Sequence, residues 1–264
     1  MKRVAPFKSE AELCATFIAA ATRPSGRPDI PSKTPREPEW VAYPETGGFD
    51  ILLVRRVDGF QIGIEAKLRL NDTVLRQALE GQRYDPLAPG PDCIAVLVPA
   101  ESGRDVLRLI APFCGITVIS CRTDTQPPFY PYLPRNDLGS WAGRDWFENL
   151  PVNRVRLPEY VPDVVAGASA PLQLTDWKIA AIKLAVIMDR RGYITRSDFK
   201  HVDIDHRRWV GQQWIQVDSA RGAWVRGSWW PDFKSQHPIN YQQIAADFEK
   251  WKPANLLIEE MPNV

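Results

Sequence analysis

A mixed α/β layer domain followed by a smaller α+β unit is the fold class this chain of 264 residues predicts, on three observations. The length exceeds one average domain and falls short of two large ones. The first 121 residues alternate helical and strand signals and close on two β-rich apolar runs, Cys93 to Val98 and Ile116 to Ser120, around a helical stretch from Asp105 to Phe113. After a proline-rich stretch, the order helix, short strand, two helices and hairpin begins near Leu174.

The elements follow in order. Ser9 opens the first helix as a cap, with Glu12 completing a capping box; Glu10 lies one turn before the apolar Leu13, Cys14 and Phe17. Within residues 47 to 72, Asp58-Gly59 is a strong signal for a two-residue type I′ hairpin, which needs positive φ at both central positions. That turn pairs Val57 with Phe60, and counting back opposes Leu53 to Ile64, Leu52 to Glu65, Ile51 to Ala66 and Asp50 to Lys67. Opposed and alternate residues share a face, so Asp50, Leu52, Glu65 and Lys67 project from one side, with side-chain roots about 5 to 7 Å apart. Ile51, Leu53, Ile62, Ile64 and Ala66 form an apolar reverse face for a core to cover. Asn71 or Asp72 then caps a helix that buries Leu75, Ala78 and Leu79.

Eight prolines between Pro127 and Pro171 mark residues 122–171 as a connector, one that packs back through Phe129, Tyr130, Tyr132, Trp141, Trp146 and Phe147. Residues 172–264 form the second unit: Thr175 caps a helix with Ile179, Ile182, Leu184, Ile187 and Met188 in register, Gly192 stops it, and helices follow around Ser197 to Val202 and Asp205 to Gln213. A ribbon turning near Arg221-Gly222 comes next. This order resembles a winged helix over about 60 residues, with His206, Arg207, Arg208 and Gln212 on the candidate recognition helix and Arg221 and Arg226 on the candidate wing. Seven of the ten tryptophans lie between Trp177 and Trp251 and are most simply core or interface anchors.

Composition narrows the partners. Hydrophobic residues make 44% and charged residues 25%, and the net charge is 0 over residues 1–121, −1 over 122–171 and +2 over 172–264. Nucleic acid is therefore not announced by bulk charge and needs local evidence. No apolar run reaches a bilayer span and the first residues lack a signal-peptide stretch, so a cytoplasmic location without membrane contact is expected. The four cysteines form no CxxC pair, and Cys93 and Cys114 beside apolar runs suit buried reduced thiols.

Two carboxylates within reach of one cation suit Mg²⁺, which completes its octahedron with water and substrate phosphate. A neighbouring ammonium can orient the attacking water or offset charge on the phosphorus. The bland alternative is a cross-strand Asp50/Lys67 ion pair on a solvated sheet face.

Asp50, a hairpin and Glu65-Ala66-Lys67, followed by a helix and another apolar strand, resemble the PD-(D/E)xK, or restriction-endonuclease-like, nuclease superfamily. The resemblance covers residues 8–121 and implies an αβββαβ core. It implies a metal-dependent DNA nuclease that hydrolyses phosphodiester bonds by in-line attack of metal-activated water and leaves 5′-phosphate ends. Asp50 and Glu65 would hold Mg²⁺, with Mn²⁺ as a substitute, Ala66 would add its backbone carbonyl, and Lys67 would be the catalytic lysine. Phe49 stands where the family pattern has proline. Family members often bring a glutamate from the first helix to the metal, which makes Glu10 a candidate against an ordinary first-turn acid, and Glu45 is a candidate against a turn residue. Gln77, Gln82 and Tyr84 are candidates for DNA contact, although their spacing does not match the Q-x-x-x-Y signature of RecB-like members. Arg207, Arg208 and Arg221 could grip phosphate; a protein partner or a homodimer through the second unit is the rival reading. The rival for the whole chain is a catalytically silent nuclease-like protein that binds DNA or protein.

Overall fold

The computed structural model describes residues 7–24, 37–80, 87–103, 105–134, 145–168 and 172–254. It divides into two compact units, Met1–Leu157 with Val164–Gln173, and Pro158–Asp163 with Leu174–Val264. Gln82, Tyr84, Trp141 and Pro171 lie outside the described residues. Among those described, no helix is long and apolar enough to cross a membrane.

The first unit is a mixed α/β layer structure. Helix α1 (Glu10–Ala21) leads into strands β1 (Trp40–Thr46), β2 (Phe49–Arg55) and β3 (Gln61–Ala66), then α2 (Asp72–Glu80), β4 (Cys93–Pro99), α3 (Asp105–Ile110), β5 (Ile116–Cys121) and β6 (Phe129–Tyr130). The strands form one six-stranded sheet in sequence order. β1, β2 and β3 run antiparallel, β3, β4 and β5 are parallel, and β6 returns antiparallel. The parallel steps need crossovers, which α2 and α3 supply. The central strand β4 is buried along its whole length, as its unbroken apolar run requires.

Ser9 Oγ accepts from the Glu12 N–H at 3.1 Å and caps α1 as its sequence position implies. The Glu12 carboxylate instead accepts from Lys8 N–H at 2.7 Å, one residue before the cap. Leu13, Cys14 and Phe17 then bury against Ile51, Leu53, Ile62, Ile64 and Ala66, so the expected apolar face is the face under α1. Asn71 caps α2, its Oδ1 accepting from Val74 N–H at 2.9 Å, and α2 buries Val74, Leu75 and Ala78 against Ile94, Val96 and Val98.

The hairpin register departs from expectation by two residues. Val54 pairs with Gln61, Leu53 with Ile62, Leu52 with Gly63 and Ile51 with Ile64. Arg55 N–H donates to the Phe60 carbonyl at 2.8 Å and Gly59 N–H to the Arg55 carbonyl at 2.9 Å, so the loop holds four residues, Arg56 to Gly59. The cause is Arg55. Its guanidinium forks onto both oxygens of Asp58 at 2.9 and 2.7 Å and lies 4.6 Å from the Phe60 ring centre and 5.4 Å from that of Trp40. This fork needs Asp58 in the loop, and it outweighs the local preference of Asp58-Gly59 for a two-residue turn. The tight hairpin with positive φ at both central residues lies one turn earlier, at Gly47 (φ +67°) and Gly48 (φ +85°) between β1 and β2.

A slip of two preserves side-chain alternation, so the faces survive the correction. The face carrying Glu65 is not solvated, however. Leu52, Val54 and Phe49 cluster there with Tyr43, Val155 and Leu157. Gly63 leaves room for the Phe49 ring, which a Cβ there would meet at 2.6 Å.

The proline-rich stretch contributes to this packing. Gln61 and the Val155 backbone bond each other in both directions at 2.8 and 2.9 Å, and Arg154 pairs with Asp92 at 2.9 Å. Phe129 and Trp146 are buried, whereas Tyr130 and Tyr132 are exposed rather than packed. Cys14, Cys93 and Cys121 are buried free thiols, but Cys114 is exposed, because it ends a one-turn helix at the surface.

In the second unit, α4 (Asp176–Arg191) runs from its Thr175 cap to Gly192 at φ +82°. Helices α5 (Arg196–His201) and α6 (His206–Gly211) follow, then the ribbon β7 (Ile215–Asp218) and β8 (Ala223–Arg226), and the short helices α7 (Phe233–Gln236), α8 (Pro238–Ala246) and α9 (Phe248–Trp251). Ile194 forms an isolated antiparallel bridge to Trp224 beside the ribbon. α6 is shorter than expected, and Gln212 lies past its end as the C-cap. Trp209 is fully buried, its ring 5.3 to 5.8 Å from those of Phe199, Trp214 and Trp230, while Trp229 is exposed.

Candidate active site

The C-terminal end of β3 delivers Glu65, Ala66 and Lys67. Continuing the observed register brings Asp50 level with Glu65, not with Lys67 as expected. Asp50 Oδ2 accepts from the Ala66 N–H at 2.8 Å, which fixes that carboxylate at the strand end. Lys67 donates its backbone N–H to the Leu97 carbonyl at 3.0 Å and its Nζ to Glu10 Oε2 at 2.8 Å. The first residue of α1 therefore belongs to the cluster, which excludes the simple Asp50/Lys67 pair on a solvated face.

Glu45 joins from the end of β1, in a left-handed conformation at φ +50°. Its Oε1 accepts from the Gly167 N–H at 2.8 Å. Gly167 has φ +69°, and a Cβ there would stand 3.0 Å from Cys14 Sγ and 3.3 Å from the Glu10 Cβ. The stretch around Gly167, which the sequence marks only as connector, thus closes on the carboxylates. Its run of small residues, Ala166-Gly167-Ala168, was the available signal for so close an approach.

Electrostatics distinguish the members. Glu65 is 7% exposed, and burial together with the charge of Asp50 pushes its carboxyl up to about 8. Burial also raises Asp50, against the opposing pull of the Ala66 N–H and Lys67. Burial likewise raises Glu45, which the Gly167 N–H partly offsets. Burial works to lower Lys67, but its hydrogen bond to Glu10 and the charges of Glu10, Asp50 and Glu65 prevail, and its ammonium is held above the usual lysine range. Cys14 is buried beneath the cluster, and burial plus the charges of Asp50, Glu45 and Glu10 keep it a neutral thiol.

Four carboxyl groups thus share their surroundings with one ammonium, and ionising all of them, Glu65 included, would leave an excess of negative charge that a divalent cation would offset. Among the described residues no group of three His, Cys, Asp or Glu is gathered as a ready metal cage. Two carboxylates and a backbone carbonyl nevertheless suit Mg²⁺, which keeps several waters and takes further oxygens from a phosphate.

The remaining candidates lie elsewhere. Gln77 sits half-buried on α2 with its Oε1 buried and unpartnered. Arg207 and Arg208 are exposed on α6, and Arg221 is tied to Asp218 at 2.9 Å. Comparison of the chain with family models, curated proteins and solved structures finds no match.

Proposed function

We propose that the chain is a divalent-metal-dependent DNA nuclease of the PD-(D/E)xK type, with Asp50 and Glu65 holding Mg²⁺ and the Ala66 carbonyl as a further donor. The observation that carries this reading is the buried carboxyl of Glu65 beside Asp50, with Glu45, Glu10 and Lys67 around it. The opening order α1, β1, β2, β3, α2, β4 supports it, since it is the αβββαβ order the resemblance implies. When bound, the ion would lower the pKa of an attacking water and offset charge on the phosphodiester.

The chain's own groups have separable tasks. The Ala66 N–H orients Asp50, and Glu10 orients Lys67. Because Lys67 is held protonated, it acts as a hydrogen-bond donor and positive charge toward a phosphate oxygen or water, not as the base. The Lys67/Glu10 ion pair also fits the silent-binder alternative, in which the cluster serves structure alone. Incubation of the purified protein with linear, circular and branched DNA, with Mg²⁺ or EDTA, separates the two. Cleavage confined to the Mg²⁺ samples and lost in Lys67→Ala, with the variant still folded and at most modestly less stable because Glu10 loses its partner, is expected. Cleavage by Lys67→Ala at the wild-type rate would remove Lys67 from the chemistry.

A further inference from the structure

Of the thirteen lysines and arginines between residues 172 and 264, six are matched by acids among the described residues. Lys183 pairs with Glu159, Arg191 with Asp198, Arg221 with Asp218, Arg226 with Asp189, Lys250 with Asp247 and Lys252 with Glu249. Both wing arginines are among the matched. Four of the unmatched, Arg196, Lys200, Arg207 and Arg208, fall within one short stretch on α5 and α6, all exposed and without an ion pair among the described residues.

Arg196 and Lys200 are four residues apart and share a face of α5, where like charges cost stability rather than add it. Together with Arg207 they line one concavity, floored by Phe199 and bordered by His206. The acid in that lining is Asp205, whose Oδ1 caps α6 by accepting from the Arg207 N–H at 2.9 Å. Asp198 is committed to Arg191, and Asp203 is exposed outside the lining. Arg208 flanks the site, its guanidinium 5.8 Å from the Trp177 ring centre. Three unpaired cations around one hollow repel each other until an anion fills it.

We propose that the concavity between α5 and α6 binds backbone phosphate of duplex DNA through Arg196, Lys200 and Arg207, with Arg208 at its edge and without the wing arginines. The choice of DNA as the polyanion rests on the nuclease reading. The phosphate chemistry rests on the unmatched charge. With six residues in α6 and its Trp209 turned into the core, the contact grips the backbone and is insensitive to base sequence.

The test is fluorescence anisotropy of a short labelled duplex with the full-length protein in EDTA, across a salt series. Replacing Arg196, Lys200 and Arg207 together by alanine should weaken binding about tenfold or more at moderate salt. It should also flatten the slope of log affinity against log salt by about 2 to 3. Arg221→Ala should change neither, Arg207→Lys should retain most of the affinity, and all variants should melt close to wild type because the side chains are exposed. Wild type that does not bind, a triple variant that binds with an unchanged salt slope, or an equal loss in Arg221→Ala would each overturn the site. No metal is present and nothing is cut, so a protein that binds through these residues yet never cleaves would refute the nuclease reading alone.

Discussion

Of the carboxyl groups in the candidate active site, Glu65 is pushed furthest from its ordinary range. Its folded-state carboxyl titrates near 8, against an ordinary value of 4.5. Between those values the folded chain binds the proton more tightly than the unfolded chain does, so the metal-free protein should lose stability as pH rises through that window. Glu65→Gln removes the ionisation and should melt higher than wild type at pH 8.5 in EDTA, by a few degrees, with the gap closing at pH 5. A wild-type melt that rises from pH 5 to 8.5 relative to the variant would contradict the burial argument. A bound Mg²⁺ must displace that proton, so Mg²⁺-induced stabilisation of wild type should grow with pH. Asp50→Asn keeps an oxygen to accept the Ala66 N–H and should leave the metal-free protein as stable or more so, while abolishing the Mg²⁺ shift. If Asp50 served only an ion pair, the variant would be destabilised and wild type blind to Mg²⁺.

At the scale of elements, the sequence carried the alternation but not the register. Asp50 and Glu65 come together because a two-residue slip keeps each side chain on its face, whereas the opposition of Asp50 to Lys67 was lost to the Arg55/Asp58 fork. Such a fork also needs Phe60 and Trp40 to stack on, a non-local condition that turn propensity cannot express. The small residues around Gly167 signal a close approach, but not to what: its partners, Glu45 and Cys14, are more than 100 residues away in the chain. Gly167→Ala should therefore destabilise the first unit by about 1 to 2 kcal/mol, since it adds left-handed strain to a crowded Cβ. It should also weaken the Mg²⁺ response by loosening Glu45. A variant with wild-type melting and Mg²⁺ response would show that the Gly167 contact does not shape the site.

For the molecule as a whole, composition and element order were enough to anticipate two units, but not how the chain divides between them. Pro158–Asp163 belongs to the second unit and Val164–Gln173 to the first. Asp163 explains the first half of this exchange: its carboxylate accepts from Ile239 and Asn240 N–H groups at 2.9 and 3.0 Å and lies 2.8 Å from the buried His237. Proline density marks an irregular path without saying what the path touches. A chain ending after Gln173 should give a folded, Mg²⁺-responsive first unit, because every segment of that unit is present. One ending after Leu157 should melt clearly lower and respond weakly, because Ala166 leaves the core and Glu45 loses Gly167. Equal melting and Mg²⁺ response of the two would refute a structural role for the returning segment.

The return of the chain at Val164 also sets an order of events during synthesis. A nascent chain emerges from its N-terminus, and domains fold in that order. The sheet can form once β6 has emerged, but the carboxylate cluster lacks Gly167 until the strap destined for the second unit has already been made. Helix α8, which holds that strap through Asp163, is translated some seventy residues later still. For that interval the strap is tethered to a folded neighbour at both ends, with its own docking site not yet in existence. The first unit must therefore finish its site around a six-residue loop that stays undocked until the second unit has been made.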